Sequence, residues 1–94
     1  MEFEWDEAKN RSNFAKHGIT FNEAMSIFKG LTLSKIDNRK DYGETRTITM
    51  GILEQEVVVV VVHTDRNGQI RLISARSANR MERKEYDDHC SKIT

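Results

Sequence analysis

Apolar positions along this 94-residue chain recur first at helical and then at strand spacing, and the change falls at Gly30. Phe21, Ala24, Met25 and Phe28 stand at i, i+3, i+4 and i+7, the stripe of an amphipathic helix laid on a core. Thr20-Phe21-Asn22-Glu23 opens it with the form of a capping box, in which hydroxyl and carboxylate each take an orphan backbone N–H. An earlier helix is predicted from Asp6, a residue suited to accept from a first-turn N–H, to about His17. Gly18 then supplies the left-handed stop. A short strand over Glu2 to Trp5 precedes that helix.

Beyond Gly30 the period drops to two. Leu31 to Ile36 alternates as a strand, Asp37 to Gly43 is a charged loop, and Arg46 to Ile52 alternates again with Ile48, Met50 and Ile52 on one face. Val57 to Val62 is six valines in a row, a β-branched run suited to a central strand covered on both faces. Asp65-Arg66-Asn67-Gly68 is a hairpin turn leading into a strand over Gln69 to Arg76. Asn79-Arg80-Met81-Glu82 has the form of a second capping box and opens a last helix ending near Cys90. Only Met81, Tyr86 and Cys90 mark an apolar stripe on it, so it is expected to be held loosely or partly by a partner. The order β, α, α, β, β, β, β, α, or α, α, an antiparallel meander and α if the first strand is marginal, makes an α+β domain with a mostly antiparallel sheet of three to four strands, occupying residues 1–94 as one unit.

Composition narrows the function more than it names it. A hydrophobic share of 37% against 32% charged supports one modest core and excludes a disordered chain. The lone Cys90 cannot form an internal disulfide, and no charged-then-apolar leader opens the chain, which together point to a reducing cytoplasm. The valine run is far too short to span a bilayer, so no membrane partner is expected. One Cys and three scattered His lack metal-ligand spacing, and no Gly-rich phosphate loop is present, so neither metal nor cofactor is expected.

Formal net charge is zero, yet the charges are unevenly placed. From Arg66 to Lys84 stand Arg66, Arg71, Arg76, Arg80, Arg83 and Lys84 against Glu82 alone. Arginine forks and the N-terminal amides of the last helix converge there, a chemistry suited to phosphate oxygens. A solvated charged face with local ion pairs is the plainer reading of the same residues. His17, beside Lys16 at a helix end, is the second candidate, since imidazole exchanges protons near neutrality. Glu54 and Glu56 flank a turn and could act as bases, while Tyr86 could donate to phosphate. His63 reads as a sheet-end residue, and His89 carries the weakest signal.

Phe3-Glu4-Trp5-Asp6-Glu7-Ala8-Lys9, Asn13, Lys16-His17-Gly18-Ile19 and Phe21-Asn22-Glu23-Ala24 resemble the opening of the BrnT toxin family. Ile73-Ser74-Ala75-Arg76-Ser77-Ala78, then Glu82-Arg83 and Tyr86, resemble its ending. Ser77 stands where the family often carries a basic residue, and Asp87-Asp88 adds acid after Tyr86. The resemblance implies a RelE-like fold, with helices on one face of a twisted antiparallel sheet. It implies the toxin of a type II toxin–antitoxin system, a metal-independent endoribonuclease that cuts RNA and arrests growth. The implied partner is a BrnA-type ribbon-helix-helix antitoxin, through which alone the toxin meets operator DNA, with room for a dimer within that complex. Metal-free RNA cleavage needs a base for the 2′-hydroxyl, cations for the phosphorane charge and an acid for the leaving oxygen. The expected assignments are Arg76, Arg80 and Arg83 for charge, Lys16 or His17 for proton transfer, and Glu54, Glu56 and Tyr86 in reserve. Arg71 and Lys84 join the three arginines in binding RNA. A non-catalytic nucleic-acid-binding module and a protein-interaction module are the alternatives; the first would bind RNA with strong salt dependence and cut nothing.

Overall fold

A computed structural model describes residues 1–54 and 56–93. Its elements follow the predicted order: β1 (Phe3–Glu4), α1 (Glu7–His17), α2 (Phe21–Ala24) continued by a 3-10 helix (Met25–Lys29), β2 (Thr32–Ile36), β3 (Thr47–Leu53), β4 (Val57–Arg66), β5 (Gln69–Ser77) and α3 (Arg80–Ile93). The local signals act as their chemistry dictates. Asp6 accepts from the Lys9 N–H at 3.2 Å, Gly18 takes φ 74° at the end of α1, and both halves of the Thr20–Glu23 box are made. Asn67 and Gly68 have φ of 55° and 81°, the paired left-handed residues that match hairpin twist.

The sheet has five strands in the order β1-β5-β4-β3-β2, more than the three to four expected. The marginal first strand is the addition: Phe3 and Glu4 lie parallel to Ile70 and Arg71 of β5, while the other pairings are antiparallel. A bulge falls between Val62 and His63.

The helices do not share one face, which corrects the arrangement implied by the resemblance. The valine strand explains why. Val59 and Val61 turn toward a cluster with Ile19, Phe21, Ala24 and Ile27 from the α1–α2 side. Val58 and Val60 turn the other way, toward Met50 and Tyr86 under α3. Alternation in a fully buried strand requires cover on both sides. Complete burial of a side chain such as Phe21 contributes roughly 1.5–3 kcal/mol.

The second helix tightens to 3-10 geometry at Met25, and this moves its apolar face. At three residues per turn Phe21, Ala24 and Ile27 align and are buried, whereas Met25 and Phe28 are only partly covered. Ile27 is thereby pressed against β3 at Gly51, where no side chain intervenes.

Asn13 ties α1 to the sheet. Its amide nitrogen donates to Ile19 O and Ala75 O at 2.9 Å each, and its amide oxygen accepts from Ala75 N at 3.0 Å. This buried side chain therefore satisfies both backbone groups of one β5 residue, beyond the point where β1 has ended. α3 is held more firmly than its broken stripe suggests. Tyr86 is buried and donates to Leu31 O at 2.7 Å, Glu85 pairs with Lys35 of β2 at 3.2 Å, and Arg83 donates to Glu56 O.

Candidate nucleic-acid site

The turn from β5 into α3 concentrates the arginines. Arg76 pairs across β4 with Val60, so it rises on the α3 face of the sheet, whereas its neighbour Ala75 faces α1. Its guanidinium meets Glu82 in a two-pronged ion pair, both contacts 2.8 Å. Glu82 serves two masters, because it also completes the cap of α3: Asn79 N donates to Glu82 Oε1 at 2.9 Å and Glu82 N donates to Asn79 Oδ1 at 2.8 Å. These donors, the Arg76 fork first, hold the Glu82 carboxyl down at about 2. The same pairing raises Arg76 against the opposing effect of burial.

Arg76 and Glu82 line a concavity of about 270 Å³ together with Lys35, Asp37 and Arg39. A second, more open groove carries Glu56, Asn79, Arg80 and Arg83. Among the described residues Arg80 makes no ion pair, whereas Arg83 also pairs with Asp87 at 3.3 Å. Two separate depressions thus flank the β5–α3 turn, one lined by Arg76 and the other by Arg80 and Arg83. Planar forks beside helix N-terminal amides are suited to phosphate.

The other expected residues lie elsewhere. Lys16 and His17 line a shallow depression with Ser12, Ile73 and Ser74, on the α1 side of the sheet. The structure does not bring them to the arginines, because α1 and α3 cover opposite faces. Arg71 sits at the far end of β5, paired with Glu4 at 2.9 Å. Lys84 is exposed and pairs along the helix with Asp88 at 3.1 Å. Glu54 occupies the β3–β4 turn at φ 48°. Tyr86 is a core residue whose hydroxyl is committed to Leu31 O, and burial, reinforced by Cys90, pushes it up to about 12. His63 is half-buried between Thr49, whose hydroxyl is 2.7 Å away, and the Phe28 ring, and desolvation lowers its pKa.

Sequence reading missed Lys35 and Arg39 as neighbours of Arg76. One signal was present for Lys35: strand alternation places it on the same face as Leu33, hence on the face of Met50 and α3. Nothing local marks Arg39, which stands in a charged loop far from Arg76 in sequence.

The family model for the ribonuclease toxin BrnT of type II toxin–antitoxin systems matches residues 5–82. The chain belongs to the BrnT toxin family. The BrnT match runs from Trp5 through the Arg76–Glu82 pair and ends before Arg83 and Tyr86. A crystal structure of the Brucella abortus ribonuclease toxin, BrnT, aligns with a TM-score of 0.65 at 27% identity, covering 85% of this chain and 99% of that one. No curated protein matches the chain.

Proposed function

We propose that this BrnT family member is itself an endoribonuclease that cuts RNA without a metal ion in the cytoplasm. The observation that carries the reading is the Arg76 fork, fixed at the β5–α3 turn that two arginine-lined depressions flank. In the reaction the 2′-hydroxyl oxygen attacks the adjacent phosphorus, its proton passes to a base, and the bond to the 5′-oxygen breaks as that oxygen takes a proton. The products are a 2′,3′-cyclic phosphate and a 5′-hydroxyl. Arg76 stabilises the phosphorane charge, displacing its contact with Glu82 as the phosphate enters. Arg80 and Arg83 hold the flanking backbone. Among the carboxylates put forward from sequence, Glu56 shares a groove with these arginines and is the favoured proton-transfer group.

A BrnA-type ribbon-helix-helix antitoxin would neutralise the toxin, most simply by covering the β5–α3 turn, and operator DNA would be met only through that complex. The test is incubation of purified protein with RNA, with and without a chelator, followed by mapping of product ends. Cyclic phosphate termini that persist in chelator are expected. Loss of all cleavage on chelation would sink the metal-free route, and intact RNA under both conditions would leave a binding module.

A further inference from the structure

The β2–β3 loop contains a cation that is exposed yet held still. Asp37 follows β2 with its carboxylate fully withdrawn from solvent, and its backbone N–H is fixed on Arg46 O at 2.8 Å. Three donors from Arg39 converge on that carboxylate: Nε at 2.8 Å, Nη2 at 2.9 Å and the backbone N–H at 3.1 Å. A fourth comes from the Tyr42 hydroxyl at 3.1 Å. Tyr42 is in turn fixed by its ring, which lies 4.0 Å from the Arg46 guanidinium. The Arg39 side chain nonetheless remains 66% exposed, and its Nη1 has no partner among the described residues.

Such an arrangement is costly unless it holds something in place, for a carboxylate leaves water only when several donors replace it. The Arg39 side-chain contacts, helped by the Arg39 backbone N–H and the Tyr42 hydroxyl, hold Asp37 far below the ordinary carboxylate range against the opposing effect of burial. The group held is a guanidinium that lines the same concavity as Arg76. The two cations are close enough to disfavour one another's charge. Lys35, Arg39 and Arg76 outnumber Asp37 and Glu82 around that concavity, and the excess positive charge favours an anion there.

We infer that Arg39 is a second phosphate-gripping residue of the toxin, contacting the RNA backbone beside the phosphate held by Arg76, with Asp37 and Tyr42 as its positioning residues. This rests on the ribonuclease reading above and adds to it the loop that fixes the path of the substrate. Fixing the fork in advance removes part of the side-chain entropy that an exposed arginine otherwise loses on binding.

The test uses the full chain and a mixed-sequence 2′-O-methyl oligoribonucleotide, which lacks the attacking hydroxyl, with affinity measured across a salt series. Arg39→Ala is expected to weaken binding about tenfold or more and to lower the salt slope by about 0.7, the loss of one phosphate contact on a single strand. Asp37→Asn separates positioning from charge. It removes a negative charge beside the RNA, so electrostatics alone would tighten binding; positioning by Asp37 requires that binding weaken while the salt slope stays unchanged. Tyr42→Phe removes one of the four contacts and is expected to weaken binding about two- to threefold. It carries the positioning test if the Asp37 variant fails to fold. Wild-type affinity and slope in Arg39→Ala would overturn the inference, as would unchanged or tighter binding in the positioning variants. A wild-type chain that neither binds this probe nor cuts RNA would overturn the ribonuclease reading instead.

Discussion

Arg76 and Glu82 meet fork to fork, Nη1 to Oε1 and Nη2 to Oε2, and the carboxylate that aligns the arginine is the one that caps the helix beyond it. Binding geometry and helix geometry are therefore set by a single side chain. Because Asn79 keeps its two bonds to Glu82 when the arginine is gone, Arg76→Ala is expected to preserve the fold while lowering kcat/KM on RNA by about 10²- to 10³-fold, the usual cost of one donor to a developing charge. Single-turnover cleavage together with a thermal melt checks both halves. Full activity in this variant would move the site elsewhere.

Acid should weaken the same junction. The Glu82 carboxyl is depressed from 4.5 to about 2, so its contribution to stability is complete above about 4.5 and is lost as pH falls toward 2. Asp37 is lowered in the same sense, chiefly by its Arg39 contacts, and adds to the acid sensitivity. Glu82→Gln is expected to be less stable than wild type near about pH 7, with the gap narrowing below about 4.5 and closing only as pH falls to about 2, measured by denaturant unfolding at each pH. A gap that stays constant would mean the pair contributes little.

Lys16 and His17 provide the negative counterpart. They line a depression with Ile73 and Ser74 that shares no residue with the concavity of Arg76. Lys16→Ala and His17→Ala are each expected to leave RNA cleavage within about twofold of wild type, as for exposed surface positions. A large loss of kcat in either variant would show that the substrate reaches both faces.

Gly51 tests the packing between the second helix and β3. A Cβ at this position would lie 2.8 Å from Ile27 Cβ, in a part of the core where Ile27 is itself buried. Gly51→Ala is expected to cost about 1–3 kcal/mol through overpacking, read as a lowered Tm. An unchanged Tm would mean the 3-10 helix shifts freely.

What could be read from sequence was what short stretches decide for themselves. The Thr20–Glu23 and Asn79–Glu82 caps, the Asn67-Gly68 turn and the two-faced valine strand each depend on residues a few positions apart, and each is present as predicted. The arginines at the β5–α3 turn were visible for the same reason. Their relation to Lys16 and His17 was not, because strand order decides which face each helix covers, and no local spacing encodes that. Arg39 reaches the concavity only after β2 and β3 have paired. The shift of the buried stripe from Met25 and Phe28 to Ile27 also required tertiary packing, since the sequence at Ala24–Met25 gives no sign of the change from α to 3-10 geometry.

The side-chain amide of Asn13 has a consequence for how this protein behaves among copies of itself. β1 spans two residues and leaves the outer backbone of β5 uncovered further along the strand. There the amide matches the Ala75 N–H with its oxygen and the Ala75 carbonyl with its nitrogen, as a neighbouring strand would. An open ladder edge is where chains nucleate aggregates. One asparagine covers that edge at Ala75, so the contact that docks α1 also removes one open rung from the ladder.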